Sequence, residues 1–181
     1  MKLFEDENLV LIPLPEYYIL LKDSDQLENI IEHKDEERLI EHINGIINID
    51  QKNGIYYVDR VWATPGWGPL MHFIALYFYN ENGLAPTRRK GQLKPKARTV
   101  WQKMYDDDRF ISKEIDSVHG IPSLDSVYYF KGQELIEYMK NNIDRIIKPI
   151  DDNMWFETVI ETKLSDEMDK VYLEKKIINS F

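Results

Sequence analysis

Cysteine is absent from the 181 residues. That excludes disulfides, a thiolate nucleophile and thiolate-ligated zinc, and it fits a reducing compartment. There is no run of about 18 apolar residues, so no membrane-spanning helix is expected. The opening stretch, MKLFEDENLVLIP, combines acidic residues with an apolar run too short for a secretory signal. A cytoplasmic location is therefore expected. Positive charge is scarce: 23 Lys and Arg stand against 32 Asp and Glu, a formal net charge of −9. Such a surface repels phosphates, so neither nucleic acid nor membrane is an expected partner. No GxGxxG or P-loop lysine pattern is present, which weakens a nucleotide-binding reading. No repeat, linker or low-complexity tract divides the chain, and residues 1–181 read as one domain with a real core.

What the sequence does have is a dense central stretch, Gly54 to Asn82. Ile55 to Ala63 is rich in β-branched and aromatic residues and reads as a strand covered on much of both faces. Thr64-Pro65-Gly66 breaks it. Gly66-Trp67-Gly68 permits a sharp turn and close approach of a ligand. Pro69 suits the first helical position. Leu70 to Tyr79 is apolar nearly throughout, which predicts a buried helix. The first N–H groups of such a helix lack intrahelical partners, and its dipole adds partial positive charge there. A phosphate is stabilised at that spot. Close packing of strand on helix explains the same glycines equally well.

A second feature is the basic island Arg88 to Arg98, where six of eleven residues are Lys or Arg. In so acidic a chain it suits a polyanionic ligand, or it is a solvated loop. Around these two features the remaining elements are expected in order. Residues 9–21 give one or two short strands bent by Pro13 and Pro15. Helices are expected from Gln26 and over Glu36–Ile43, the second ending at Asn44-Gly45. His33 and His42, nine apart in these helices, have no companion ligand pattern. A strand at Ile46–Ile49 precedes the hairpin turn Asn53-Gly54. Gly83-Leu84-Ala85-Pro86 ends the buried helix and starts a short strand. Ala97, Val100, Trp101, Met104 and Tyr105 form one apolar stripe on a helix opened by Lys94-Pro95. Asp106 to Asp108 are read as solvated, because consecutive side chains on a helix do not converge on one ion, and no metal is expected. Residues 110–130 are irregular apart from a strand at Ser126–Phe130. A helix follows over Gln133–Ile147. A strand is expected at Trp155–Thr162. Ser165 then caps a last helix with Met168, Val171, Tyr172 and Lys175 in register.

The ordered set PGWGPLM, GLAPTR, KARTVWQKMY and Arg109 with Glu114 and Asp116 resembles GNAT-type N-acetyltransferases, and is most similar to small GNAT-like proteins predicted from phage genomes. The resemblance covers roughly residues 44–116. It implies an α/β (α+β) fold: a mixed, splayed sheet of about six or seven strands with helices on both faces. It implies acetyl-CoA as substrate, its pyrophosphate on amides at Gly66, Trp67, Gly68 and Leu70, with Pro69 unable to donate. Ala63 stands where the family pattern opens with Gln or Arg. Arg88 and Trp101 would also face the cofactor. The helix of KARTVWQKMY implies that Tyr105 protonates the departing thiolate. The implied function is transfer of an acetyl group to an unidentified amine. The alternative is a non-catalytic GNAT-fold module, a phage virion component or protein-binding domain. A phage origin places it in the host cytoplasm or the virion.

Acyl transfer to an amine needs a donor to the acyl carbonyl, a base for the amine and an acid for the thiolate. Backbone N–H groups near Trp62 or Ala63 are candidates for the first. Asp59 and Glu114 are carboxylate candidates for base or water positioning. His72, in the first turn of the buried helix, is another candidate base, or a satisfied core residue. Tyr105 suits either the acid or plain packing.

Overall fold

The computed structural model describes residues 1–89 and 91–179, with side chains up to residue 167. The elements run β1 (Leu9–Pro13), β2 (Tyr17–Lys22), α1 (Leu27–Glu32), α2 (Glu36–His42), β3 (Ile43–Lys52), β4 (Ile55–Ala63) and α3 (Gly68–Tyr79). Then come β5 (Leu84–Pro86), α4 (Pro95–Asp106), β6 (Phe110–Glu114), β7 (Ser126–Phe130), α5 (Glu134–Ile146) and α6 (Asn153–Asn179). The strands form one open, mixed seven-stranded sheet in the order β1-β2-β3-β4-β5-β7-β6. β4 and β5 pair in parallel, and the other described pairs are antiparallel.

Period-two alternation divides the sheet between two cores. Tyr18 and Leu20 of β2 face α3, α4 and α5, together with Ile47, Ile49 and Val58. Tyr17, Ile19 and Leu21 face the other way and pack with α1, α2 and α6 through Leu27, Leu39, Phe156 and Ile160. Each face therefore carries its own helices, as expected for a mixed α/β domain. α3 is the most enclosed helix: Leu70 to Leu76 are all buried. It presses so close to the sheet that a Cβ on Gly45 of β3 would lie 2.6 Å from the Met71 sulfur.

The hairpin turn is where expected, with positive φ at Asn53 and Gly54. Three expectations are corrected. Gly45 lies inside β3 and does not end α2, because the close approach of α3 selects glycine there. Phe110–Glu114 is a strand, held by its ladder to β7 although only Phe110 is buried. Trp155–Thr162 is helix, part of α6, and Ser165 is not its cap. Thr158 and Thr162 return their hydroxyls to carbonyls four residues back, 2.9 Å away in both cases, which accommodates β-branched residues in a helix. The register expected at Met168, Val171, Tyr172 and Lys175 lies outside the described side chains.

Candidate functional site

β4 has two different halves. Tyr56, Tyr57 and Val58 pair with Leu84, Ala85 and Pro86 of β5. Beyond Val58 no described strand lies on that side. β3 still pairs with β4 on the other side, but its register slips between Asn48 and Ile49, so Asp59 bulges between Val58 and Arg60. A bulge bends and twists its strand. β5 ends at Pro86, so the sheet is open on this side of the second half of β4. The main-chain groups of Asp59–Ala63 on that side present the unpaired edge that an extended ligand can pair with.

A cleft of about 580 Å³ occupies the gap. Val58 to Trp62 form one wall. His72 of α3, and Ala97 and Trp101 of α4, come from one layer, while Leu164 and Glu167 of α6 come from the other. Arg89, Gln92, Leu93 and Lys94 line it from the connection to α4. Of the residues singled out in the sequence, Asp59, His72 and Trp101 meet here. Asp59 lies between Arg60 and Arg89, at 3.8 and 3.7 Å.

α6 is fastened across the sheet beside the cleft. Arg60 donates to both Glu161 oxygens, at 3.2 and 2.7 Å, and to the Tyr17 hydroxyl at 3.1 Å. The Tyr17 hydroxyl also bonds Glu161. Burial, and next the hydrogen bond to Glu161, push the Tyr17 phenol up to about 12. Lys163 sits 4.5 Å from the centre of the Trp62 ring, a cation–π contact. The sequence reading missed Arg89, Leu164 and the Arg60–Glu161 pair. Phe156, Val159, Ile160 and Leu164 carry a helical spacing that would have placed α6 over the sheet.

His72 is 1% exposed. Its Nδ1 lies 2.7 Å from the carbonyl oxygen of Gly68. A carbonyl only accepts, so Nδ1 carries the proton and Nε2 is a bare acceptor. Nε2 has no hydrogen-bond partner among the described residues. Burial pushes the imidazole down to about 4, against a smaller upward pull from the Gly68 carbonyl. The ring is therefore neutral at physiological pH. It meets Trp101 edge to face, centroids 5.1 Å apart and planes at 89°.

The glycine turn closes on itself and on the N-terminal segment. Trp67 N–H donates to Thr64 O at 3.1 Å, and Lys2 N–H donates to Gly66 O at 2.8 Å. The Trp67 amide is thus engaged, and its side chain is core. Gly66 has a φ of +93°, open only to glycine, and the Lys2 stem lies across it. Leu70 is buried, and Ala63 pairs with Gly45 at the end of β4. Gly68 and Leu70 have no described acceptor for their N–H groups, and open space surrounds the position of a Gly68 Cβ. Both stand in the first turn of a twelve-residue helix, where N–H groups lack intrahelical partners.

Three expected residues lie elsewhere. Arg88 is held by the Asp125 carboxylate at 3.0 Å and by the Asp116 carbonyl, so its charge is already matched. Arg89, next to it, lines the cleft with a 62% exposed side chain. Tyr105 is 39% exposed and leaves the buried stripe formed by Val100, Trp101 and Met104. It lies one turn beyond Trp101, about 6 Å further along α4, and does not line the cleft. Its neighbour is Tyr128, whose phenol is pushed up first by burial and then by Tyr105. Glu114 is exposed on β6, also away from the cleft.

Among the described residues no group of three His, Asp or Glu side chains is placed to hold a metal, and no helix is long and apolar enough to cross a membrane. Comparison with protein-family models, with curated proteins and with solved structures finds no match to this chain.

Proposed function

We propose that the protein is a GNAT-like acyltransferase that binds a coenzyme A thioester, acetyl-CoA in the simplest case, and transfers the acyl group to an amine. The observation that carries this reading is the second half of β4, which has no described strand on its β5 side. A strand edge with unpaired main-chain groups borders a cleft with both apolar and charged walls, and the same strand leads through the glycine turn to the Gly68 and Leu70 amides at the start of α3, which have no described acceptor. Coenzyme A has the matching polarity: a pyrophosphate for the amides, and a linear amide arm for the strand edge. Arg89 and Lys94 add positive charge at the mouth. An N–H of the unpaired edge near Trp62 or Ala63 polarises the acyl carbonyl. Asp59, aimed by the bulge, receives the proton of the attacking amine.

A second reading, a GNAT-like binding module without turnover, is favoured by one observation. Tyr105, the residue that the resemblance makes the acid, lies outside the cleft. Thermal unfolding with and without coenzyme A tests ligand binding, since a ligand bound only by the folded state raises the Tm by mass action. At a hundredfold excess over Kd the gain is about 2.7 kcal/mol. Gly68→Asp should abolish the rise by placing negative charge beside these amides, and open space around Gly68 means that the fold tolerates it. No rise at millimolar coenzyme A in the unmutated protein removes the acyltransferase reading and leaves the non-catalytic module. A rise without acetyl transfer to any of a panel of amines selects the second.

A further inference from the structure

His72 has no task in the acyl transfer described above. His72 keeps its Nδ1 proton on the Gly68 carbonyl, and its Nε2 points no lone pair at any described donor. A buried acceptor without a partner is costly and uncommon, so it calls for a reason. The ring belongs to the cleft wall and meets Trp101 edge to face; the cleft is lined both by apolar residues, among them Val61, Leu93 and Leu164, and by the polar Asp59, Arg89, Gln92 and Lys94. A fixed, unpartnered acceptor on the wall of a cleft with mixed lining is the pattern of a site that reads one donor on a ligand carrying both apolar and polar groups.

We infer that His72 is a specificity residue whose Nε2 accepts a hydrogen bond from an amide N–H on the pantetheine arm of the coenzyme A thioester. The inference rests on the acyl-CoA reading and names the part of that ligand which the cleft selects. The arm fits the cleft because it alternates methylenes with secondary amides. The adenosine bisphosphate half does not, since its charges belong with the amides of Gly68 and Leu70. The role also differs from that of a general base. An imidazole that burial keeps neutral to about pH 4 is a weak base for an ammonium ion, but it remains a good acceptor. It acts by positioning the arm, and the bond to Gly68 fixes both its tautomer and its ring plane.

Nitrogen NMR of labelled histidine, run beside calorimetric titrations, tests the inference. Two ligands are compared: coenzyme A, and its adenosine bisphosphate half without the arm. Coenzyme A should move the His72 Nε2 resonance from the bare to the hydrogen-bonded range. The half-ligand should bind without moving it. His72→Phe keeps a ring against Trp101 and removes the acceptor. It should weaken coenzyme A binding about tenfold or more, and leave the half-ligand's affinity as it was. If coenzyme A shifts the amides of Gly68 and Leu70 while Nε2 stays bare, the His72 role is overturned and the acyl-CoA reading stands. Equal weakening of both ligands in the variant overturns the role in the same way. If neither ligand binds the unmutated protein, both readings fall. Should His72→Phe not fold, the resonance in the unmutated protein still decides.

Discussion

Two buried polar groups in this molecule are treated in opposite ways. Asp125, in the segment between β6 and β7, has its carboxylate fully used. It accepts from the backbone N–H groups of Val118, His119 and Gly120 at 3.0, 3.0 and 2.9 Å, from the Ser117 hydroxyl, and from Arg88. Burial alone pushes its pKa up, but these donors outweigh burial and hold the carboxyl well below the usual carboxylate range. His72, in the cleft, uses one ring nitrogen and leaves the other bare. A saturated group in a loop is there to hold the loop. An unsaturated one beside a cleft costs stability and is accounted for by something it binds. Arg88 illustrates the consequence: the basic residue that looked available for a ligand is consumed by Asp125, while its neighbour Arg89 faces the cleft.

If that contrast is right, the largest stability effect belongs to Asp125. Asp125→Ala leaves Arg88 and three amides without their acceptor in a site where the carboxylate is 8% exposed. The expected loss is about 3–5 kcal/mol, the range for breaking a buried charge pair from one side. Urea unfolding at neutral pH measures it. A loss below about 1 kcal/mol would mean that the cluster is not holding the loop, and the contrast with His72 would collapse.

The next effect is the pH dependence that His72 should carry. Its folded pKa, about 4, lies below the ordinary 6.5. The folded state therefore binds fewer protons than the unfolded state between those values. Stability is full above about pH 6.5 and is lost as the pH falls toward 4. The amount is about 3 kcal/mol. Asp125 has the same sign but a lower window, because its pKa is depressed from the carboxylate range. Unfolding free energies at pH 7.5 and 4.5, compared between the unmutated protein and His72→Phe, isolate the histidine. The variant should lose markedly less on acidification. Equal losses would mean that the imidazole is not buried neutral.

The same contrast explains what could be read from the sequence. β4 and α3 were legible because their signals are local: a β-branched run, a glycine turn, a proline at a helix start and an all-apolar helix. Asp59, His72 and Trp101 were legible as candidates because each belongs to those elements or to the striped α4. The open edge of β4 was not, since it depends on how few residues of β5 pair with β4. The first part of α6, Trp155–Thr162, was misread as a strand because Thr158, Val159, Ile160 and Thr162 have strand propensity. The packing of Phe156, Ile160 and Leu164 on the second core overrides it. β6 was missed because four of its five residues are exposed, so its identity lies in its pairing with Phe130 to Ser126. The fate of Arg88 was hidden for the same reason: its partner lies 37 residues away.

The smallest effect expected is that of Tyr105→Phe, and it bears on the catalytic half of the proposal. Tyr105 belongs to the apolar stripe by spacing, but the helix leaves it 39% exposed, toward Tyr128 and away from the cleft. Loss of a half-exposed hydroxyl should change stability by less than about 0.5 kcal/mol, as for ordinary surface substitutions. Binding of coenzyme A should not change, because the Gly68 and Leu70 amides and the strand edge are untouched. Turnover should not change either if thiolate protonation comes from solvent at the cleft mouth. A general acid is worth about 10²-fold or more, so the two outcomes are well separated. A drop of that size with binding intact would make Tyr105 the acid. It would also require the last turn of α4 to move toward the thiol when ligand binds. A small change in turnover would leave Asp59 as the proton-transferring side chain in the cleft, and Asp59→Asn would then be the substitution that removes the reaction while keeping the ligand.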